Sequence, residues 1–146
     1  MSLLVERTAV VARTAPKSQS AGTALTEAIA LGGAHAYTFT IVVGAVGSGG
    51  TVDFQIKGAT SSGGTYTAIA GTAITQMATA NKMSRVEISA IAIEQLGLGY
   101  THIKGEIVVG TAACEVCVIA EADKLRSGVG ADNDSADVVE IVTKVT

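Results

Sequence analysis

The sequence predicts an all-β chain: an antiparallel β-sandwich or jelly roll of about seven to nine short strands, with extended N- and C-terminal arms. Three observations lead there. Residues 37–57 read Y-T-F-T-I-V-V, then G-A-V-G-S-G-G, then T-V-D-F-Q-I-K, with apolar and polar positions alternating strictly on either side of the glycines. The 48% hydrophobic fraction comes from Ala, Val, Ile and Leu, with aromatics at 3% and 17 glycines, a composition that favours sheets with frequent turns over packed helices. Short alternating stretches separated by turn residues then recur to residue 120.

Taken in order, residues 3–12 lean apolar and suit an edge strand or an arm laid on another subunit. Residues 15–22 hold the only Pro and read as a linker. Residues 23–31 suit a short helix through Ala24, Leu25, Ala28 and Ile29, or a strand with Leu25, Ile29 and Leu31 on one face; the glycines that follow favour the strand. In residues 37–57, Tyr37, Phe39, Ile41 and Val43 share a face, as do Val52, Phe54 and Ile56, so the stretch reads as two paired antiparallel strands, each with one buried and one wet face. Short strands are expected at 65–69 and 73–77. At 85–91, Val86, Ile88 and Ala90 alternate with Arg85, Glu87 and Ser89, and at 100–109 Ile103, Ile107 and Val109 should point inward. The nearly continuous apolar run 114–120 reads as a strand buried on both sides. The domain plan is therefore an N-terminal arm and linker (1–22), a β-sandwich (23–125), a flexible linker (126–137) and a strand-like C-terminal arm (138–146).

At 146 residues the chain makes one domain, long enough to remove roughly 70% of its unfolded surface from water without a metal or disulfide. Its mean hydropathy of +0.45 with 16% charged residues leaves apolar surface to be covered by partner subunits, which predicts a homo-oligomer. A net charge of −3 and scattered basic residues argue against nucleic-acid binding. Residues 28–52 lack Asp, Glu, Lys and Arg, yet glycines and strand-period alternation argue against a membrane span. Glu6, Arg7 and Arg13 interrupt any secretory signal, so a soluble protein made in the cytoplasm is expected.

No catalytic pattern stands out, and no cofactor or metal is expected. Cys114 and Cys117 form C-x-x-C without a second ligand pair, and in a strand their Cα atoms would lie about 10 Å apart, beyond disulfide reach. Two ordinary thiols are expected. Residues 132–137 begin like a calcium loop but place Ala136 where an oxygen ligand belongs. The glycines at 44, 47, 49 and 50 do not form a phosphate-binding motif, and a strand follows them. Ser61 and Ser62 lack a nucleophile context, and His35 and His102 lack spaced acid partners.

The run V-D-F-Q-I-K-G-A-T-S-S-G-G-T-Y-T-A-I at 52–69 resembles a segment of tailed-phage virion proteins, in which a strand, a Ser/Asp-Gly turn and a Thr-aromatic-Thr strand follow one another. Y-T-H-I-K-G-E-I-V-V at 100–109, then Gly110-Thr111 and the strand from Cys114, resembles the paired final strands of the same proteins. The family is that of capsid decoration, or cement, proteins of the jelly-roll or β-sandwich type. The resemblance spans 34–125 and implies a structural role, with no enzyme activity: binding the outside of a phage head, often as a trimer, and clamping neighbouring major capsid proteins, in the virion. On that expectation the contacts to shell or subunits fall in the two arms, at Leu3, Leu4, Val5, Arg7, Val10, Val11 and Arg13, and at Val139, Ile141 and Val145. A tail or fibre-associated sandwich, binding a host glycan, is the alternative.

Overall fold

A computed structural model describes residues 7–123. Ten strands and one short helix follow in order: β1 (Thr8–Arg13), β2 (Lys17–Gln19), β3 (Gly22–Leu25), β4 (Ile29–Ala30), β5 (Ala36–Val46), β6 (Thr51–Ala59), β7 (Thr67–Ala68), β8 (Lys82–Ser89), α1 (Ala90–Gln95), β9 (His102–Gly110) and β10 (Cys114–Asp123). They build two antiparallel sheets. One has the order β1-β10-β5-β8, with β2 also on β10; the other has β3-β9-β6-β7, with β4 also on β9. Taking β2 as the continuation of β1 along β10, and β4 as that of β3 along β9, the chain switches sheets at almost every connection. This is the jelly-roll form of the sandwich.

That topology corrects the reading of residues 37–57 as a paired hairpin. β5 and β6 alternate as expected, but they belong to opposite sheets and face each other across the core. β5 pairs with β10 and β8, while β6 pairs with β9 and β7. Phe39 and Phe54 meet between the layers, with ring centroids 5.6 Å apart and planes at 43°. The glycines between the strands serve a crossing: a Cβ on Gly50 would lie 2.8 Å from Cys114 Sγ and 2.9 Å from Gly47 O. The expected pairing of the final strands is corrected in the same way, since β9 and β10 also lie in different sheets. The two crossings are tied together where Gly47 N–H donates to Ala113 O at 2.9 Å.

The core is the space between the sheets. Tyr37, Phe39, Ile41 and Val43 of β5 meet Val52, Phe54 and Ile56 of β6, with Ile103, Ile107 and Val109 of β9 and Val116, Val118 and Ala120 of β10. Gly105 makes room for the aromatic pair, because a Cβ there would sit 2.7 Å from the Phe54 ring and 3.1 Å from that of Phe39. β10 is central in its sheet but buried on one side only: Cys114, Val116, Val118 and Ala120 are buried, whereas Glu115 and Ile119 are exposed. Its apolar run thus alternates by depth, contrary to the expectation of two covered faces.

The remaining elements follow from local chemistry. β1 belongs to the sheet, pairing with β10 from Thr8↔Asp123 to Arg13↔Ile119, so the sandwich begins well before the expected boundary at residue 23. Pro16 sits between β1 and β2, where a missing N–H interrupts an edge strand at low cost. In the 23–31 stretch the strand reading holds, as β3 and β4 on β9, but Leu25 is exposed and Ile29 buried. The phase flips at the break between them. There the buried Thr26 donates its own N–H to Gly105 O and accepts Gly105 N–H on Oγ1, and Glu27 turns outward to accept Arg13 N–H at 2.8 Å.

Residues 65–69 contain the two-residue β7. Residues 73–77, expected as a strand, instead run irregularly along β6, with Ile74 N–H on Phe54 O and a single bridge between Val52 and Met77. α1 was not expected. Ser89 caps it, accepting Ala92 N–H at 3.1 Å, and Gly97 at φ +66° follows its end, a pattern that ordinary capping rules contain. Among the described residues, no helix is long and apolar enough to cross a membrane.

Candidate functional site

The solvent-facing side of the β1-β10-β5-β8 sheet is the candidate site. Its outward residues fall into three rows. Val10, Glu121, Thr38 and Glu87 form the first, Arg13, Ile119, Thr40 and Arg85 the second, and Cys117, Val42 and Met83 the third. The third row is apolar and Ile119 extends it into the second: Met83 is 66% and Ile119 40% exposed, and Cys117 and Val42 are half-buried between them. Arg85 Nε donates to Thr40 Oγ1 at 3.3 Å, which holds the guanidinium along the sheet. Beside the third row a groove of about 290 Å³ is lined by Pro16, Lys17, Ser18, Gly44, Glu115 and Val116 with Val42 and Cys117. Glu115 spans its rim, accepting Ala45 N–H at 3.1 Å.

Of the expected contact residues, the structure brings Val10 and Arg13 onto this face and places Arg7 immediately before it. Val11 does not belong to it. A bulge between Val10 and Ala12 sets Val11 off the ladder, and its side chain packs against the core. Leu3, Leu4, Val5, Val139, Ile141 and Val145 lie outside the described residues. Ile119, Met83 and Arg85, which the arms-centred reading missed, were legible as outward positions of alternating strands; what hid Ile119 was the apolar run around it.

The opposite sheet turns a different surface outward. Glu106 is ion-paired with Lys57 and accepts Gln55 Nε2 at 2.7 Å, with the two charged side chains 10% and 23% exposed. Burial by itself pushes the Glu106 carboxyl up, but the Lys57 and Gln55 hydrogen bonds and the Lys57 charge together outweigh it and hold the group below the usual carboxylate range. Gln76 Nε2 donates to Asp53 at 2.8 Å, and Lys104 Nζ lies 4.5 Å from the Tyr66 ring centroid.

The two cysteines are free thiols on opposite sides of β10, Cys114 buried and Cys117 half-buried. Among the described residues, no cluster of three or more His, Cys, Asp or Glu side chains is placed to hold a metal ion. His102 Nδ1 lies 2.9 Å from Thr101 Oγ1, whose hydroxyl is also 2.8 Å from Thr60 O; His35 is exposed in the turn before β5.

No protein-family model matches the chain, and no curated protein matches it. Among solved structures it is similar to a Clostridium thermocellum N-terminal endo-1,4-β-D-xylanase 10B, comprising CBM22-1 and GH10 modules complexed with xylohexaose. The identity is 11% and the TM-score 0.40, over 88% of this chain and 30% of that one.

Proposed function

We propose that this chain is a structural protein of a tailed-phage virion, without enzyme activity, that sits on the outside of the head and clamps neighbouring major capsid proteins. The observation that carries the reading is the outward face of the β1-β10-β5-β8 sheet. There Ile119, Met83, Val42 and Cys117 form an apolar centre flanked by Arg13 and Arg85 on one row and by Glu121 and Glu87 on the next. An apolar centre with a charged rim is the anatomy of a protein–protein contact. The major capsid protein is proposed as the partner on the resemblance of residues 52–69 and 100–120 to capsid decoration proteins. Each contact can be weak, because many copies on one shell raise the effective concentration of every further attachment.

The contact set narrows with the fold in hand. Val11 leaves it, Arg7, Val10 and Arg13 stay, and Ile119 and Met83 join. Deleting residues 1–16 is a poor test, since it removes β1 from its own sheet. Ile119→Ser and Met83→Ser, both at exposed positions, test the face without touching the core.

The experiment adds purified protein to expanded, undecorated heads and images them. Symmetric density at capsomer junctions, lost in the Ile119→Ser/Met83→Ser variant while the variant stays folded, is the expected result. Absence from heads, with label on tails or host cells, would overturn the capsid reading in favour of a tail or adhesin role.

A further inference from the structure

We infer that the β8 edge is a self-complementary interface at which two copies of this chain join into one continuous sheet around a two-fold axis. β8 ends the β1-β10-β5-β8 sheet, and among the described residues no strand pairs with its other side. At eight residues it is a long edge, and long unpaired edges are templates for further pairing. Ala90 N–H donates to His35 O at 2.9 Å in the register of the β5–β8 ladder. Thr14 N–H on Val118 O fixes the same phase from the other side of the sheet, and Asn81 N–H on Gly44 O falls before the strand begins. Even-numbered residues of β8 therefore turn their peptide groups to β5, and odd-numbered Met83, Arg85 and Glu87 turn theirs to the open side.

Charge selects the register. An antiparallel pair that continues the sheet must set outward residues against outward residues, which leaves three registers through the middle of the strand. Centred on Arg85, the pair opposes two arginines; centred on Glu87, it opposes two glutamates. Centred on Val86, it sets Arg85 of each copy against Glu87 of the other, twice by symmetry. It also brings the two Val86 residues together on the inner side. Only this last register is free of like-charge opposition and gains two cross-strand ion pairs.

A second observation agrees. Among the described residues the two most exposed large apolar side chains, Met83 at 66% and Ile91 at 63%, stand near the start of β8 and just past its end. In the Val86-centred register Met83 of one copy lies opposite Ser89 of the second copy, two residues from that copy's Ile91. Apolar surface at both ends of the strand is thus brought to the junction. A two-fold axis perpendicular to the sheet leaves both outward faces on the same side, which suits a clamp; the pairing itself is a property of the free protein and stands apart from shell binding.

The test is sedimentation velocity of the free, full chain across a concentration series. A dimer that dissociates on dilution is expected. Arg85→Glu and Glu87→Arg should each weaken it at least about tenfold by opposing like charges, with circular dichroism unchanged. The double variant Arg85→Glu/Glu87→Arg, which restores opposite charges in the same register, should recover most of the loss. A monomer or a trimer throughout the series, single variants that associate as tightly as the unaltered chain, or a double variant no tighter than the singles would overturn the interface.

Discussion

The outward faces of the two sheets are built from the same alternating strands, yet they spend their side chains differently. On the β3-β9-β6-β7 sheet the charged groups bond to one another: Lys57, Gln55 and Glu106 form a largely buried network, and Gln76 holds Asp53. On the β1-β10-β5-β8 sheet Met83, Val42 and Cys117 form an apolar row in register, and Ile119 extends it along β10. A satisfied polar network stabilises its own chain, whereas an uncovered apolar row gains free energy only when something covers it. The first face ties its charged groups to one another, with Leu25 and Val108 exposed beside them, whereas the second leaves its most exposed apolar side chain, Met83, uncovered among the described residues.

Substitutions can break this contrast, and the largest effect is expected just beneath the first face. Gly105→Ala drives a methyl group into Phe54 and Phe39 and should cost about 1–3 kcal/mol in denaturant unfolding. Gly44→Ala, on the second face, meets Glu115 Oε2 at 2.8 Å, which can rotate away, and Glu115 Cβ at 3.2 Å, which must give by a few tenths of an ångström; its cost should stay near or below about 1 kcal/mol. Equal losses at the two glycines would erase the distinction.

Lys57→Met leaves Glu106 largely buried without its cation, an expected loss of about 1–3 kcal/mol. The acid dependence sharpens the point. Because Glu106 sits below its ordinary value in the folded protein, its contribution is fully present above the unfolded carboxyl value and is lost as pH falls through the folded one. Stability measured from neutral pH downwards should therefore decline below about pH 4, with a shallower decline in Glu106→Gln. Parallel acid limbs in the two proteins would remove the network from the account.

The smallest change in stability belongs to Ile119→Ser and Met83→Ser, within about 0.5 kcal/mol of the unaltered chain by thermal or chemical melts. The same pair should abolish attachment to heads. A large loss of stability would mean that this face is already covered within the chain.

Much of the fold was legible because its signal is local. The inward faces of β5, β6 and β9 fall where alternation places them, down to Phe39, Phe54 and Ile107, since a strand's side chains have a period of two whatever lies beside it. α1 escaped notice because it is barely more than a turn long, yet Ser89 and Gly97 mark its ends. The phase flip between Leu25 and Ile29 was not legible, as it depends on Thr26 bonding to Gly105, a residue distant in sequence. The candidate site was half legible: Arg13 and Val10 were named, but Val11 was misplaced by a bulge that only the pairing with Glu121 reveals.

By itself the sequence determined which residues of β5, β6 and β9 face inward, that the chain is all-β, and where glycines let the backbone turn. Tertiary structure alone decided which strands are neighbours. Tyr37-Phe39-Ile41-Val43 and Val52-Phe54-Ile56 would show the same alternation as partners in one sheet or as facing strands of two. A glycine cluster suits a tight hairpin and a sheet-to-sheet crossing equally. The choice rests on contacts far apart along the chain, β5 with β10 and β6 with β9, and those contacts bring Ile119 and Met83 onto one face.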